Sequence, residues 1–329
     1  MIRPPRIVIT RPRWPRDDHF WKFWSRLNNL VQTEYCDRYH VETYDVAPGL
    51  AGKRVTEHYI RRYHESFALC LAHHIENPLP NAIDYKMSYY PNLFYFANGG
   101  YNGFSNICDI DLLNETDLPA EVYDTFYTER ICPRLGNTKY AEANNTRRDA
   151  RIPTDYILIP LQVENDTVMA LKTIDTIQMI QRAAFVANNL GIPIVIKVHP
   201  KSPKRHPLCE YIEQLDKQFT NVIVTSADIR KLLDKATAIF VINSGVGFEA
   251  MCRFKPVFTF GRCDYQQNTF QNLDGYQIIN ALKTPVDPAQ TKRFLYNWWS
   301  HVSDLYDPDW QAKIKSCIDK HLDEHTKES

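Results

Sequence analysis

The 329-residue chain has no excess of either charge, since 39 Lys and Arg stand against 39 Asp and Glu. Without a global field, nucleic acid is not an expected partner, and each basic cluster has to be judged where it stands. No apolar run approaches the roughly 18 residues of a membrane span, although peripheral association with a membrane stays compatible with the sequence. The opening stretch MIRPPRIVITRPRWPRDD lacks the apolar core of a secretory signal and interleaves Arg with Pro instead, so export is not expected. No Cys-x-x-Cys pair occurs among the eight cysteines. That removes the usual zinc and disulfide signatures and makes a reducing cytoplasm the expected location. Glycosylation-type triplets at Asn114, Asn144 and Asn165 carry little weight without an export signal. Also lacking is a carboxylate pair of Asp-x-Asp type at a strand end. Asp109 and Asp111 have the letters but follow a glycine loop, so they read as structural, and no metal or other cofactor is expected.

The chain is long enough for about two domains with a sizeable core. The first half opens with a short strand, Arg6 to Thr10, and a helix from about Asp17 to Val31 whose Phe20, Trp21, Phe23, Trp24, Leu27 and Leu30 form an apolar face. A second helix is expected over Thr56 to Ile75. The segment MSYYPNLFYFANGGYNGFS joins an aromatic strand to a loop carrying Gly99, Gly100, Tyr101 and Gly103. There glycine gives the backbone freedom to approach another molecule, which makes this a candidate binding loop, on the side that the resemblance given below implies for an acceptor. A polar stretch from Asp117 to Arg151 places the domain boundary near residue 150.

The second half alternates strands and helices. Strands are expected at Tyr156 to Leu161, Ile192 to Val198, Asn221 to Val224 and Ala238 to Ile242. The helices between them run from Thr173 to Leu190, Leu208 to Phe219 and Ile229 to Lys235, and a further one opens near Gly247. On the first helix Ile174, Ile177, Ile180, Ala184 and Ala187 share a face. Short β-branched runs separated by helices imply a parallel sheet with right-handed crossovers, covered on both faces. The tail from Thr291 to about His325 reads as helical.

In such α/β sheets ligands bind beyond the carboxyl ends of the strands. Three strand ends deliver polar groups there: Gln162 and Asp166 in PLQVENDTVM, Lys197 and His199 in KVHPKSPKR, and Asn243, Ser244 and Gly245 in VINSGVGFEAM, with Glu249 in the following turn. Each has a plainer reading. KVHPKSPKR is also a solvated turn stopped by Pro200 and Pro203, Ser244 also a helix cap with glycines for packing, and Asp166 also a cap. Taken together they suit phosphate binding by Lys197, His199 and a helix start, with Asp166 removing a proton from an attacking hydroxyl and Gln162 orienting it.

The three segments, in this order, resemble the Gln-x-x-x-Asp, Lys-x-His-Pro and Asn-Ser-x-x-Gly-x-Glu-Ala motifs of the capsule polysaccharide biosynthesis family, which includes bacterial β-Kdo transferases. The resemblance runs from about residue 156 to 262. It implies an α/β GT-B-type glycosyltransferase with two Rossmann-like domains facing across a cleft: an acceptor-side domain over 1–150, a donor-nucleotide domain over 151–290, and a helical segment over 291–329 crossing back to the first. The family's enzymes are inverting and metal-independent, and CMP-Kdo is a common donor. The resemblance makes Asp166 the base with Gln162 beside it, Lys197 and His199 the phosphate ligands, and Asn243, Ser244, Gly245 and Glu249 the donor contacts. The implied partners are a CMP-, UDP- or GDP-linked sugar and a glycan or glycolipid acceptor. An epimerase or hydrolase of the same architecture, or a non-catalytic glycan- or nucleotide-binding protein, would use much of the same site.

Overall fold

A computed structural model of the chain describes residues 4–12, 19–46, 58, 60–63, 66–74, 81–97, 99–137, 151–202 and 207–326. The expected boundary near 150 lies outside these residues. The chain divides into two compact units, Met1–Ile107 with Trp299–Ser329, and Cys108–Trp298.

The first unit is built on a six-stranded sheet. It comprises β1 (Arg6–Pro12), β2 (His40–Val46), β3 (Leu69–His73), β4 (Ala82–Met87), β5 (Leu93–Ala97) and the two-residue β12 (Ser303–Asp304), in the order β12-β5-β4-β3-β1-β2. The central pairs are parallel, while β5 runs antiparallel to both β4 and β12. Where one helix was expected from Thr56 to Ile75, residues 60–63 are helical but Leu69–His73 is a core strand between β1 and β4. Its run LCLA is too short to form a helix face and is buried, as befits a strand covered on both sides.

Helix α1 (His19–Tyr35) lays Phe23, Trp24, Leu27, Leu30, Val31 and Tyr35 into the core of this unit. The expected helical tail is instead interrupted: a helix over Pro288–Ser300, the edge strand β12, then a final helix over Trp310–Thr326. That last helix buries Trp310, Ile314 and Ile318 in the same core, and Tyr35 donates to Asp319 at 2.7 Å. Phe23 is the hub, stacked on Phe94 at 4.1 Å between ring centroids and edge-on to Trp310 at 5.6 Å.

The second unit holds β6 (Ile157–Pro160), β7 (Ile194–Lys197), β8 (Val222–Thr225), β9 (Ala238–Val241), β10 (Val257–Thr259) and β11 (Phe270–Gln271). All are parallel, in the order β11-β10-β9-β6-β7-β8. Its helices, following α1 in chain order, are α2 (Ala120–Phe126), α3 (Thr176–Leu190), α4 (Pro207–Gln218), α5 (Ile229–Lys235), α6 (Gly245–Met251) and α7 (Gly275–Ala281). The chain steps outward from β6 through β7 to β8, then returns past β6 to β9 and continues the other way. This is the doubly wound Rossmann arrangement, and its switch point lies between β6 and β9.

The four strands read from sequence are present: β6, β7 and β9 are trimmed by two, three and one residues, and β8 is shifted by one. Helix α3 starts at Thr176 on a capping box in which Gln178 N–H donates to Asp175 at 2.7 Å and Asp175 N–H donates back to the Gln178 side chain at 3.1 Å. Its buried face is Thr176, Met179, Ile180, Ala183, Val186 and Ala187, so Ile177 and Ala184 turn outward. Residues 108–137 pack into the second unit rather than the first: Asn297 donates to Leu112 O at 2.7 Å and Tyr127 to Cys252 O at 2.6 Å. Their polar composition masked these anchors.

Replacing Phe23 by Ala removes a fully buried ring and is expected to cost about 3–5 kcal/mol. In a denaturant titration followed by circular dichroism, the Phe23→Ala variant should unfold early. A midpoint matching the parent would contradict the central place given to this ring.

Candidate functional site

The carboxyl ends of β6 and β9 meet at the switch point, and two of the residues singled out from sequence bond to one another there. Gln162 Nε2 donates to Asn243 Oδ1 at 3.0 Å, and Asn243 N–H donates back to Gln162 Oε1 at 3.2 Å. Strand pairing between β6 and β9 reaches only Leu158 and Ile239, so these side chains bridge the gap that opens past the ladder. The Asn243 side chain is fully buried and also donates to Val168 O at 2.7 Å and Arg262 O at 3.3 Å. It therefore ties four chain segments together instead of facing a ligand, as its reading as a donor contact had required.

Asp166 precedes the 3₁₀ turn Thr167–Leu171, is exposed, and makes no capping bond with its side chain. The cap reading thus has no hydrogen bond behind it. Its backbone N–H donates to Val163 O at 2.9 Å, which closes the turn that presents the carboxylate.

Lys197 closes β7 and is only 8% exposed. Burial lowers its pKa, and the charge of Asp228 pulls it back up. His199 follows on the same edge. Lys201 N–H donates to its Nδ1 at 3.1 Å, so the neutral ring carries its proton on Nε2. Burial lowers its pKa first, Lys201 and Lys197 add to the effect, and Asp166 opposes it. Burial and the neighbouring lysines thus bias His199 toward its neutral form.

Ser244 caps α6, its hydroxyl accepting from Val246 N–H at 3.3 Å, so the helix begins at Gly245 rather than near Gly247. A Cβ at Gly247 would meet Tyr265 Oη at 2.5 Å. That glycine exists to let the tyrosine through, and Tyr265 in turn donates to Ser244 O. Helix α6 is two turns long and sums few peptide dipoles, which leaves Lys197 as the main positive charge. Glu249 is buried at 6% exposure, well inside the helix, where it cannot present both carboxylate oxygens to solvent.

Two residues of this edge were not singled out from sequence. Asp228, 3% exposed, caps α5 by accepting from Arg230 N–H at 2.9 Å. The Arg230 guanidinium also bonds it, with Nε 3.0 Å from each carboxylate oxygen. In the sequence they sit in TSADIRK, where Asp before a helix is an ordinary cap. Only the parallel pairing of β7 with β8, which sets Lys197 beside Thr225, brings Asp228 toward Lys197.

The glycine loop lies in the first unit and is buried from Gly99 to Gly103. A Cβ at Gly99 would meet the Asn106 side chain at 2.8 Å, and Gly100 has φ of +78°. The close approach for which the glycines are needed is thus to the chain's own Asn106. Tyr101 Oη lies 2.7 Å from His74 Nε2, with Lys86 Nζ 3.3 Å from its ring centroid. Asp109 pairs with Arg262 at 2.7 Å and Asp111 accepts from Asn114 at 2.9 Å, so both have structural partners. Among the described residues no group of three or more His, Cys, Asp or Glu is placed to hold a metal ion, and no helix is long and apolar enough to cross a membrane.

A family model described as "Capsule polysaccharide biosynthesis protein" matches residues 123–279. Over these residues, just under half of the chain, the sequence is similar to that family. All three motifs fall inside this segment, which lies wholly in the second unit. Among solved structures, the chain is similar to the β-Kdo 2,4-transferase of Thermosulfurimonas dismutans KpsC, with TM-score 0.51 and 16% identity over 88% of this chain and 89% of that one. The β-Kdo 2,7-transferase of the same KpsC matches with TM-score 0.47 and 14% identity over 88% and 89%. The first of these likenesses supports the fold, an α/β GT-B type with two Rossmann-like units. No curated protein matches the chain significantly.

Asn243→Ala would strand the buried Val168 carbonyl and release Gln162. Each buried polar group left without a partner costs about 1–3 kcal/mol, so a drop of that order is expected in a urea titration. Unchanged stability would mean that water replaces the amide.

Proposed function

We propose that the chain is an inverting, metal-independent glycosyltransferase that moves a sugar from a nucleotide donor to a glycan hydroxyl in polysaccharide synthesis. The observation that carries this reading is the convergence, at one switch point, of an exposed carboxylate, a buried ammonium and a histidine donor. That set matches the needs of a displacement at an anomeric carbon. Asp166 accepts the proton of the acceptor hydroxyl as its oxygen attacks the anomeric carbon. The bond from that carbon to the donor's phosphate oxygen breaks on the opposite face, and the nucleotide leaves with the electron pair.

Lys197 and the Nε2–H of His199 meet the charge that develops on the leaving phosphate, and because strand ends hold them they need little reorganisation. The Ser244 hydroxyl and the Gly245 backbone lie on the donor side. Gln162, held by Asn243, fixes the loop that carries Asp166. Among donors we favour Kdo carried on CMP, in keeping with the family's motifs, over UDP- and GDP-linked sugars.

Asp166→Ala should lower transfer by about 10²- to 10⁴-fold, the range of a general base, while CMP still raises the melting temperature of the variant. Retained transfer would remove Asp166 from the mechanism. The companion variant His199→Ala should lower kcat and kcat/KM for the donor together, as loss of an interaction with developing charge does. EDTA should leave the rate unchanged, and a rate that needs added Mg²⁺ or Mn²⁺ would overturn the metal-free account.

A further inference from the structure

We infer that Glu164 is a positioning residue for Asp166: by accepting a hydrogen bond from the Thr176 hydroxyl, its carboxylate pins the loop that presents Asp166 at the strand ends. The consequence for transfer rests on the reading of Asp166 as the base, while the hold on the loop does not.

Between Leu161 and the 3₁₀ turn Thr167–Leu171 the chain has no strand or helix of its own. A segment without a ladder keeps its place only through turns and side chains, and three such ties precede Asp166. Gln162 is bonded to Asn243 at 3.0 and 3.2 Å. Val163 O accepts from Asp166 N–H at 2.9 Å. Glu164 Oε1 accepts from Thr176 Oγ1 at 2.6 Å, the short distance of a hydroxyl bonded to a charged carboxylate, which is stronger than a neutral pair. Beyond Asp166, Asn243 donates to Val168 O at 2.7 Å. Asp166 is thus tied down two residues before itself by Glu164 and two residues after by Val168.

The anchor that Glu164 uses is firmly held. Thr176 is 5% exposed and opens α3 inside the capping box. Just before it, the N–H and the hydroxyl of Thr173 both donate to Phe260 O at 2.9 Å, and Arg262 N–H donates to Leu171 O at 3.1 Å. The start of α3 is therefore fastened to the exit of β10, and Glu164 joins the Asp166 loop to that block. Packing does not replace this bond. Gln162, Val163, Glu164 and Asn165 line a narrow cavity whose other wall includes Leu208 and Cys209, and Asn165 and Asp166 are exposed. A loop with so few apolar contacts takes its position from its hydrogen bonds. The half-buried Glu164 carboxylate is engaged with Thr176, whereas that of Asp166 stands in solvent, which assigns the two acids different roles.

Glu164→Ala removes the acceptor of the bond, and Thr176→Val removes the donor while keeping its shape. Either should lower kcat by about 10- to 10²-fold, the cost of a small misplacement of a reacting group. The KM for the donor should stay, because Lys197, His199 and Ser244 are untouched. Glu164→Gln keeps an oxygen that accepts the same hydroxyl, and Thr176→Ser keeps the hydroxyl, so both should recover most of the rate. The double variant Glu164→Ala with Thr176→Val should lose no more than either single one, since both cut the same bond.

Hydrogen exchange of the full-length protein, followed by mass spectrometry on peptides spanning 162–169, reads the loop without substrate, and transfer from CMP-Kdo reads the consequence. The amides of Asp166 and Met169, both bonded within this turn, should exchange about 10-fold faster in Glu164→Ala and Thr176→Val and at the parent rate in Glu164→Gln and Thr176→Ser. CMP affinity by calorimetry should be equal in all forms. Parent-like exchange in Glu164→Ala overturns the inference, and a fall in CMP affinity there overturns it by placing the residue with the donor. Loss of transfer in Glu164→Gln with parent-like exchange also overturns it, because Glu164 would then act through its charge as the base itself. If no form transfers sugar, the parent included, while exchange follows the stated order, the proposed function fails and the hold of Glu164 on the loop stands.

Discussion

The reciprocal hydrogen bonds between Gln162 and Asn243 span the one place where the second unit's sheet opens. Strands β6 and β9 pair over only two residues. Past Leu158 the β6 chain bonds to β7 instead, where Leu161 N–H donates to Lys197 O at 2.9 Å. On the other side Phe260 N–H donates to Val241 O at 3.0 Å, drawing β9 toward β10. The sheet parts at its carboxyl edge because right-handed crossovers leave β6 and β9 in opposite directions. Two amides fill the gap left by a missing ladder, and the loops that bear Asp166 and Ser244 start from them. The other site residues inherit their positions from this closure.

Much of this was legible in the sequence. Strands β6 to β9 announce themselves because a parallel sheet covered on both faces favours apolar, often β-branched residues, and ILIP, IVIK, VIVT and AIFV follow this up to the polar Lys197 and Thr225 at two carboxyl ends. Brevity was the obstacle for β3, whose apolar run followed a helical stretch and merged with it. Helix α3 was placed well and rotated wrongly. Ile177 and Phe185 compete with Met179 and Ala183 for the role of core face, and only the sheet beneath decides between them. Phe185 remains exposed, edge-on to Tyr276 at 5.0 Å.

The site divides along a similar line. The placement of Gln162, Lys197, His199 and Asn243 at or just past strand ends followed from the strand readings alone. The glycine loop could not be interpreted, because glycine reports that something comes close and not what it is; at Gly99 the neighbour is Asn106 and at Gly247 it is Tyr265. Asp228 was invisible for a third reason. It bonds Arg230 two positions on, as an ordinary helix cap would, and only the β7–β8 register shows that this cap lies near the strand end carrying Lys197.

These placements bear on how such an edge could bind a phosphate and then release it. A surface cluster of lysines would attract any anion and be screened by salt. Here Lys197 is buried, with Lys201 on the same turn and Arg230 bound to the nearby carboxylate of Asp228. The histidine is biased toward its neutral form and aimed by the Lys201 backbone. The field at the strand ends is set by hydrogen-bond geometry more than by the number of charges. A leaving phosphate would meet donors already in place, and a departing nucleotide would face little net attraction. That balance fits a turnover enzyme better than a binding protein, because a binding protein gains nothing from keeping its anion site so close to neutral.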